Sequence, residues 1–177
     1  VVDSGSADDT VEIARRRGAR VIEQRWLGYG AQKNFAVAQA THDWVLCLDA
    51  DERLSPELAD SIRAAMAGPP AATAFRAARR NRFLGRWLRH GEGYPDWNLR
   101  LFDRRHARWT EDPVHEHVVA DGKVARLAGD LLHESAESLE DYLAKQNRYT
   151  TLQAQAMHAR GERATAARIA LAPLVRF

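Results

Sequence analysis

Two aspartates directly follow an apolar segment in the first third of the chain. Residues 45–48 are apolar, and Asp49 and Asp51 come next, two positions apart. Such a run is typical of a buried strand. Ligands of open α/β sheets bind at the carboxyl ends of strands, and carboxylate oxygens suit Mg²⁺ or Mn²⁺, which neutralise a diphosphate. A strand followed by an acidic turn is the alternative, and it is the commoner meaning of so short a motif.

A third aspartate stands at the end of a shorter apolar segment. Asp3 follows two valines and precedes Ser4, Gly5 and Ser6. A carboxylate at this place accepts hydrogen bonds from a ribose hydroxyl or a base N–H, as acids after strands do in dinucleotide-binding folds. The alternative is an aspartate that stabilises a turn.

Residues 111–117 contain three acids and two histidines. Glu111, Asp112 and Glu116 are each a candidate general base, if burial or neighbouring acids raise the pKa. His115 and His117 would share one side of a strand and suggest zinc, although no third ligand has a diagnostic spacing. The alternative for the whole segment is an acidic surface loop.

His133 ends a second apolar run. A histidine at a strand end is able to complete the coordination of a metal, whereas a hydrogen-bonded boundary residue is the plainer interpretation. A phosphatase-type motif, with Asp49 as the nucleophile, is a further alternative for the aspartate pair. It is weakened because Glu52 and Arg53 follow Asp51 where that motif expects Thr or Val.

The elements that must position these residues alternate in the first half of the chain. The pattern predicts a helix opened by Ser6, a strand at 20–23, a helix at about 31–40, a strand at 44–48 and a helix capped by Ser55. Alternation of strands and helices predicts a parallel sheet with right-handed crossovers.

The second half is less regular. Strands are predicted at 73–79 and 97–102, and a hairpin at 118–132 around Asp121 and Gly122. Ser138 then caps a long helix. The segment 157–177 is basic and amphipathic, which suits either an anionic membrane surface or a further core helix.

Composition narrows the class of protein. The chain has 177 residues, 45% hydrophobic and 28% charged, which predicts one soluble globular domain. A net charge of +2 does not favour nucleic acid, and one cysteine, Cys47, excludes an intramolecular disulfide. No apolar stretch reaches transmembrane length, and we expect no signal peptide. Both ends are apolar, so we expect a fragment of a longer protein.

Several motifs, in order, resemble family 2 glycosyltransferases. Residues 3–10 are similar to the family's V-D-x-G-S-x-D-x-T signature. Five further segments resemble the branch that contains lipopolysaccharide core β-glucosyltransferases: 28–34, 49–52, 97–102, 114–116, and 132–133 before a helix with Tyr142, Lys145 and Asn147.

The resemblance implies a GT-A fold of the α/β class. That fold has a Rossmann-like, mostly parallel sheet flanked by helices, a smaller mixed acceptor-side half and a C-terminal helix. We expect one glycosyltransferase domain over 1–177. Within it, 1–68 would bind the nucleotide-sugar, 69–135 would form the acceptor and catalytic half, and 136–177 would be helical. The family's first strand–helix unit precedes the V-D-x-G-S segment, so we expect it to be missing from this fragment.

The resemblance also implies roles for the candidate residues. Asp3, Lys33 and Asp49 would bind the donor. Asp51, with Asp49 and His133, would hold a divalent metal, Mg²⁺ or Mn²⁺. Glu116 is the preferred general base, and Glu111 and Asp112 are its rivals.

The function implied is that of an inverting, metal-dependent hexosyltransferase in bacterial envelope glycan assembly. The partners would be a nucleotide-sugar, with a UDP-sugar preferred, and a glycan or glycolipid acceptor such as lipopolysaccharide core, with no nucleic acid. The expected location is the cytoplasm, with peripheral contact at the inner membrane. A non-catalytic sugar-nucleotide-binding module is the main alternative, and a D-x-D phosphohydrolase is a weaker one.

Overall fold

A computed structural model of the chain describes residues 1–112, 116–136, 138–162, 165 and 171. The strands are β1 (Val2–Asp3), β2 (Ile22–Glu23), β3 (Trp44–Leu46), β4 (Glu52–Leu54), β5 (Ala74–Phe83), β6 (Arg86–Trp87), β7 (Asp96–Asp103), β8 (Ala107–Trp109), β9 (Val118–Ala120) and β10 (Val124–Ala136). The α-helices are α1 (Thr10–Arg16), α2 (Tyr29–Ala38), α3 (Pro56–Ala65) and α4 (Leu139–Ala159), and Gly91–Gly93 form a 3₁₀ turn.

The strand–helix alternation of the first half is confirmed, and β1 pairs in parallel with β2. The cap of α3 is also as predicted, because the Ser55 hydroxyl accepts from the backbone N–H of Leu58 at 3.2 Å. The predicted start of α1 is wrong. Ser6 turns towards Asp3, and the helix begins only after Asp9.

The main sheet has the strand order β3-β7-β5-β10-β4, and β6 extends from β5. Its pairing is more mixed than the expected mostly parallel sheet. Only β5 and β10 run in parallel within it, over the described residues, and its other pairs are antiparallel. The reason is that β5 returns to β7 through a short loop and β6, which suits antiparallel neighbours, instead of through a helical crossover.

The predicted hairpin over 118–132 does not form. β9 pairs with β8, and β10 pairs with β5 and β4. Burial decides this, because Leu127 and Leu131 of β10 pack with Leu58 of α3 in one core cluster. Gly129 allows that approach: it has φ +85°, and a Cβ there would lie 2.3 Å from the Leu58 nitrogen.

A second core cluster lies beside the first and supports the candidate site. It contains Val45 of β3, Phe102 of β7 and Trp109 of β8, with Cys47 packed against it. The side chain of Lys33 lies over this cluster at Trp109. Among the described residues, no helix is long and apolar enough to cross a membrane. The basic segment expected at 157–177 lies mostly outside the described residues.

Candidate functional site

Asp49 lies where β3 leaves the sheet, next to the neighbouring strand β7. The backbone N–H of Cys47 donates to the carbonyl of Arg100 at 2.9 Å, which fixes the chain just before Asp49 against β7. The Asp49 carboxylate then contacts two cations, the Lys33 ammonium at 2.9 Å and the Arg100 guanidinium at 3.1 Å. The sequence predicted a metal or donor-binding carboxylate here, and the structure shows that Asp49 is paired with two cationic side chains of the protein itself.

Lys33 joins two of the predicted site residues. Its Nζ lies 2.9 Å from Asp49 and 2.8 Å from the Glu116 carboxylate. The ammonium also lies 4.3 Å from the ring centroid of Trp109, a cation–π distance over a buried indole. Asp49 and Glu116, separated by 67 positions in the sequence, therefore share one cation.

Asn34 explains why the Lys33 side chain reaches this place. Its side-chain amide donates to the carbonyl of Trp109 and accepts from the Trp109 backbone N–H, both at 3.0 Å. This reciprocal pair attaches α2 to β8, the strand that precedes the Glu116 segment. The neighbouring Lys33 is thereby held between β3 and residue 116.

Glu52 is the most buried acid of the site, with a fully covered side chain. One oxygen accepts from Arg100 at 2.6 Å, and the other accepts from the backbone N–H of Asp49 at 3.1 Å. Arg79 of β5 approaches to 3.8 Å. Glu52 thus holds both the backbone of Asp49 and the guanidinium that contacts the Asp49 carboxylate.

Asp51 and His133 contact each other and form a second group of predicted site residues. His133 Nε2 lies 3.2 Å from the Asp51 carboxylate, and His133 Nδ1 lies 2.6 Å from the amide oxygen of Asn81. The strand register produces this contact, because His133 pairs with Glu52 on one side and with Asn81 on the other. The hydrogen bond from His133 lowers the pKa of Asp51.

The Asp51–His133 pair suits a divalent cation. The Asn81 amide nitrogen is directed at the carbonyl of Gly93, so its oxygen faces His133 Nδ1 and accepts that ring proton. His133 Nε2 then either carries a second proton, which it donates to the Asp51 oxygen 3.2 Å away, or presents a lone pair there, in which case a cation could take the place of that proton. Asn81 would be the outer partner that orients a metal-binding imidazole. Within the described ranges, however, no group of three or more His, Cys, Asp or Glu side chains is placed to hold a metal ion. Any further ligands would be substrate oxygens or water.

Asp49 suits a metal less well than Asp51. Both of its carboxylate oxygens already contact cationic side chains. A metal at Asp49 would share these oxygens with Lys33 and Arg100, whose positive charges oppose a further cation there. The geometry therefore separates the two aspartates of the motif, which the sequence treats as one pair.

Asp3 is buried, and its carboxylate stabilises the turn that follows it in the chain. Its carboxylate accepts from the backbone N–H groups of Gly5 and Ser6 and from the Ser6 hydroxyl, at 2.8, 3.0 and 2.5 Å. These bonds lower the pKa of Asp3, that from the Ser6 hydroxyl most. They describe the turn-forming aspartate that was the alternative, and the donor contact of Asp3 stays a prediction.

Glu111 and Asp112 lie beside the first turn of α2, in a pocket shared with Tyr29. The Asp112 carboxylate is 4.0 Å from His117. Of the three candidate bases, the structure brings Glu116 to Lys33 and Asp49 and puts the other two in this pocket. His115, and with it the two-histidine zinc alternative, lies outside the described residues.

Sequence reasoning missed three contributors to the site. Two of them, Glu52 and Arg100, pair with each other beside Asp49. The third, Asn81, contacts His133. Glu52 had a signal in the sequence, since an acid directly after the D-x-D pair begins the next strand. Asn81 had none, and Arg100 had only its place in the motif at 97–102, because the roles of both depend on which strands become neighbours.

Comparisons with known proteins agree on a family. The family model described as Glycosyl transferase family 2 matches residues 1–121. An uncharacterized glycosyltransferase of Rickettsia prowazekii is 33% identical over 190 residues, which cover 96% of this chain and 62% of that protein. The lipopolysaccharide core biosynthesis glycosyltransferase LpsC of Rhizobium meliloti is 30% identical over 184 residues, which cover 100% of this chain and 68% of LpsC. The chain thus spans a little under two thirds of the length of the Rickettsia relative.

Proposed function

The chain belongs to glycosyl transferase family 2, and from this premise we propose that the full-length protein transfers a sugar from a nucleotide-sugar to a glycan acceptor. The family has the GT-A fold, in agreement with the α/β architecture and the C-terminal helix α4. The transfer would be inverting, in one displacement at the anomeric carbon.

The observation that carries the proposal is the bridge made by Lys33. One ammonium contacts Asp49, at the strand end where a donor would lie, and Glu116, the preferred base. A transferase of this kind must hold a leaving diphosphate and a proton acceptor on opposite sides of one reacting carbon. The two carboxylates around Lys33 support that division of roles, with Asp49 on the donor side and Glu116 as the base.

The proposed step balances as a single displacement. Glu116 accepts the proton of the acceptor hydroxyl, whose oxygen forms the new bond to the anomeric carbon. The bond from that carbon to the nucleoside diphosphate breaks, and its electron pair stays on the phosphate oxygen. Lys33 and Arg100 supply positive charge on the donor side.

Asp51 and His133 would hold Mg²⁺ or Mn²⁺ in this proposal. When bound, such an ion supplies Lewis-acid stabilisation of the leaving diphosphate. The support is the distance of 3.2 Å between His133 Nε2 and an Asp51 oxygen, together with the Asn81 amide oxygen at His133 Nδ1.

The finer specificity rests on the relatives and on the sequence motifs. We propose a UDP-hexose donor and an envelope acceptor of the lipopolysaccharide core type, because LpsC carries that description. Work at the cytoplasmic face of the inner membrane, with peripheral contact, would bring the enzyme to such an acceptor.

The test uses the full-length protein and a panel of nucleotide-sugars, with Mg²⁺ or Mn²⁺. A donor should raise the melting temperature, and Glu116→Gln should keep that shift. Turnover with an envelope glycan fraction should fall about 10²- to 10⁴-fold in this variant, because it lacks the proton acceptor.

Glu12→Gln is the matched control, since Glu12 makes an exposed ion pair on α1. It should leave both readouts unchanged. A protein that no nucleotide-sugar stabilises would contradict the donor site, and full turnover in Glu116→Gln would remove Glu116 as the base. Release of phosphate from simple esters without an acceptor would favour the phosphohydrolase.

A further inference from the structure

A pocket of about 330 Å³ opens between the start of α2, residues 111–112 and helix α4. Trp26, Leu27 and Tyr29 form its apolar side, and Arg148 of α4 contributes a cation. The pocket is set apart from the Asp51–His133 pair, because none of the residues that line it belongs to β4 or β10.

Gly30 brings two walls of this pocket together. A Cβ at Gly30 would lie 1.8 Å from the carbonyl oxygen of Thr110. Only glycine allows the first turn of α2 to approach the segment that carries Glu111 and Asp112 this closely. The pocket is therefore built by a close backbone contact between two segments far apart in the sequence.

The apolar wall is unusually exposed. Trp26 and Leu27 each leave 49% of their surface accessible, although large apolar side chains of a folded domain are usually covered. The Trp26 ring packs edge-on against Tyr29 at 5.0 Å between centroids, which holds it in place. A fixed, half-exposed indole offers a flat surface to the C–H face of a pyranose ring.

Another part of the pocket lining accepts hydrogen bonds. Glu111 and Asp112 are both exposed, and ionised carboxylates act only as acceptors, which suits hydroxyl groups. Arg148 adds donors at the edge. An aromatic surface facing a few polar groups is the usual composition of a small-molecule site.

The pocket adjoins the proposed base. Tyr29 lines it, and Lys33 follows one helical turn later on the same face of α2, in contact with Glu116. Tyr149 of α4 contacts Tyr29 at 6.4 Å between ring centroids. Burial raises the pKa of Tyr149 to about 12, and the negative charge of Glu116 nearby adds to the shift. Glu116 is thus linked to both places: it shares Lys33 with Asp49, and its charge acts on Tyr149, which packs on the pocket residue Tyr29.

We propose that this pocket binds the acceptor: it would hold one sugar residue, stacked on Trp26 and hydrogen-bonded to Glu111 and Asp112, with a hydroxyl directed at Glu116. The inference rests on the proposed function. In it, Glu111 and Asp112 recognise acceptor hydroxyls and do not act as the general base.

The experiment is saturation-transfer NMR on the full-length protein with two kinds of probe, methyl glycosides of aldohexoses and uridine diphosphate. The wild-type protein should transfer saturation to ring protons of at least one glycoside. Trp26→Ala should weaken that binding about threefold to tenfold, the size of one lost aromatic contact. Glu111→Gln, which keeps the ring, should weaken it too, and both variants should bind the diphosphate as before.

Trp97→Ala is the matched control, because Trp97 is a similarly exposed indole (36%) on β7, outside the pocket. It should leave both probes unaffected. If Trp26→Ala lost the diphosphate and kept the glycosides, the pocket would belong to the donor. If the wild-type protein bound the diphosphate and no glycoside, the acceptor assignment would be wrong while the proposed function stood. Failure of the diphosphate and every nucleotide-sugar to bind would count against the proposed function.

Discussion

Replacement of Glu52 by glutamine should destabilise the fold more than any exposed charge change. The Glu52 carboxylate is fully covered and faces the guanidiniums of Arg100 and Arg79. Arg100 is itself 6% exposed, so it cannot turn to water when its partner loses the charge. Removal of one partner from a buried ion pair costs about 3–5 kcal/mol, and we expect the lower end because Arg100 keeps Asp49.

A loss of about 3 kcal/mol corresponds to a fall in melting temperature of about 6–12 °C for a domain of this size. Thermal and urea unfolding, followed by circular dichroism, would measure it. Glu23→Gln is the control, since Glu23 pairs with Arg15 at 3.1 Å on the surface, and such pairs contribute about 0–1 kcal/mol.

A fall of less than about 2 °C in Glu52→Gln, equal to that of the control, would refute the reasoning. A double-mutant cycle adds a check on the partner. Arg100→Met combined with Glu52→Gln should be less destabilised than the sum of the two single variants, because neither then leaves a buried charge unpaired. Simple additivity would show that the two side chains do not interact in solution.

Two further predictions concern other parts of the fold. Gly30→Ala should lower the free energy of unfolding measured in urea, because the new methyl group would meet a carbonyl oxygen at 1.8 Å, whereas Gly68→Ala, with nothing within 4 Å, should be tolerated; equal effects would contradict the close approach. Hydrogen bonds from Arg105 lower the pKa of Asp103 from 3.8 to about 2, so Asp103 stabilises the fold fully above pH 3.8 and loses that contribution as the pH falls towards 2. Urea unfolding of Asp103→Asn and wild type should therefore differ at pH 6 and converge near pH 2, and a constant difference would exclude this cause.

The first half of the fold was predictable because its signals are local. Ser55 and Pro56 predict the start of α3, and apolar runs separated by helical segments predict the alternating strands and helices. The prediction of a hairpin over 118–132 was wrong because the observed strand pairing depends on contacts between distant parts of the sequence. The turn residues are suitable, yet burial of Leu127 and Leu131 against α3 stabilises a pairing with β5 that no local pattern encodes.

The candidate site was predictable as a set of residues and not as an arrangement. The sequence shows three acids and a histidine next to apolar strands, namely Asp49, Asp51, Glu116 and His133. A charged group there costs free energy unless it is paired or binds a ligand. Their division into two groups was not visible. One group gathers around Lys33, and the other pairs Asp51 with His133, because strand register and helix docking choose the neighbours.

The sequence by itself determined the chemistry available to this protein: carboxylates at strand ends, a lysine in α2 and the motifs of one transferase family. The tertiary structure decided which of those groups share a cation and which face a pocket. The physical reason is that residue type fixes charge and hydrogen-bonding capacity, whereas contact between positions 33, 49 and 116 exists only once α2 has docked on β8 through Asn34. Buried Glu52 shows the same limit, since its contact with Arg100, 48 positions away in the sequence, exists only in the folded chain.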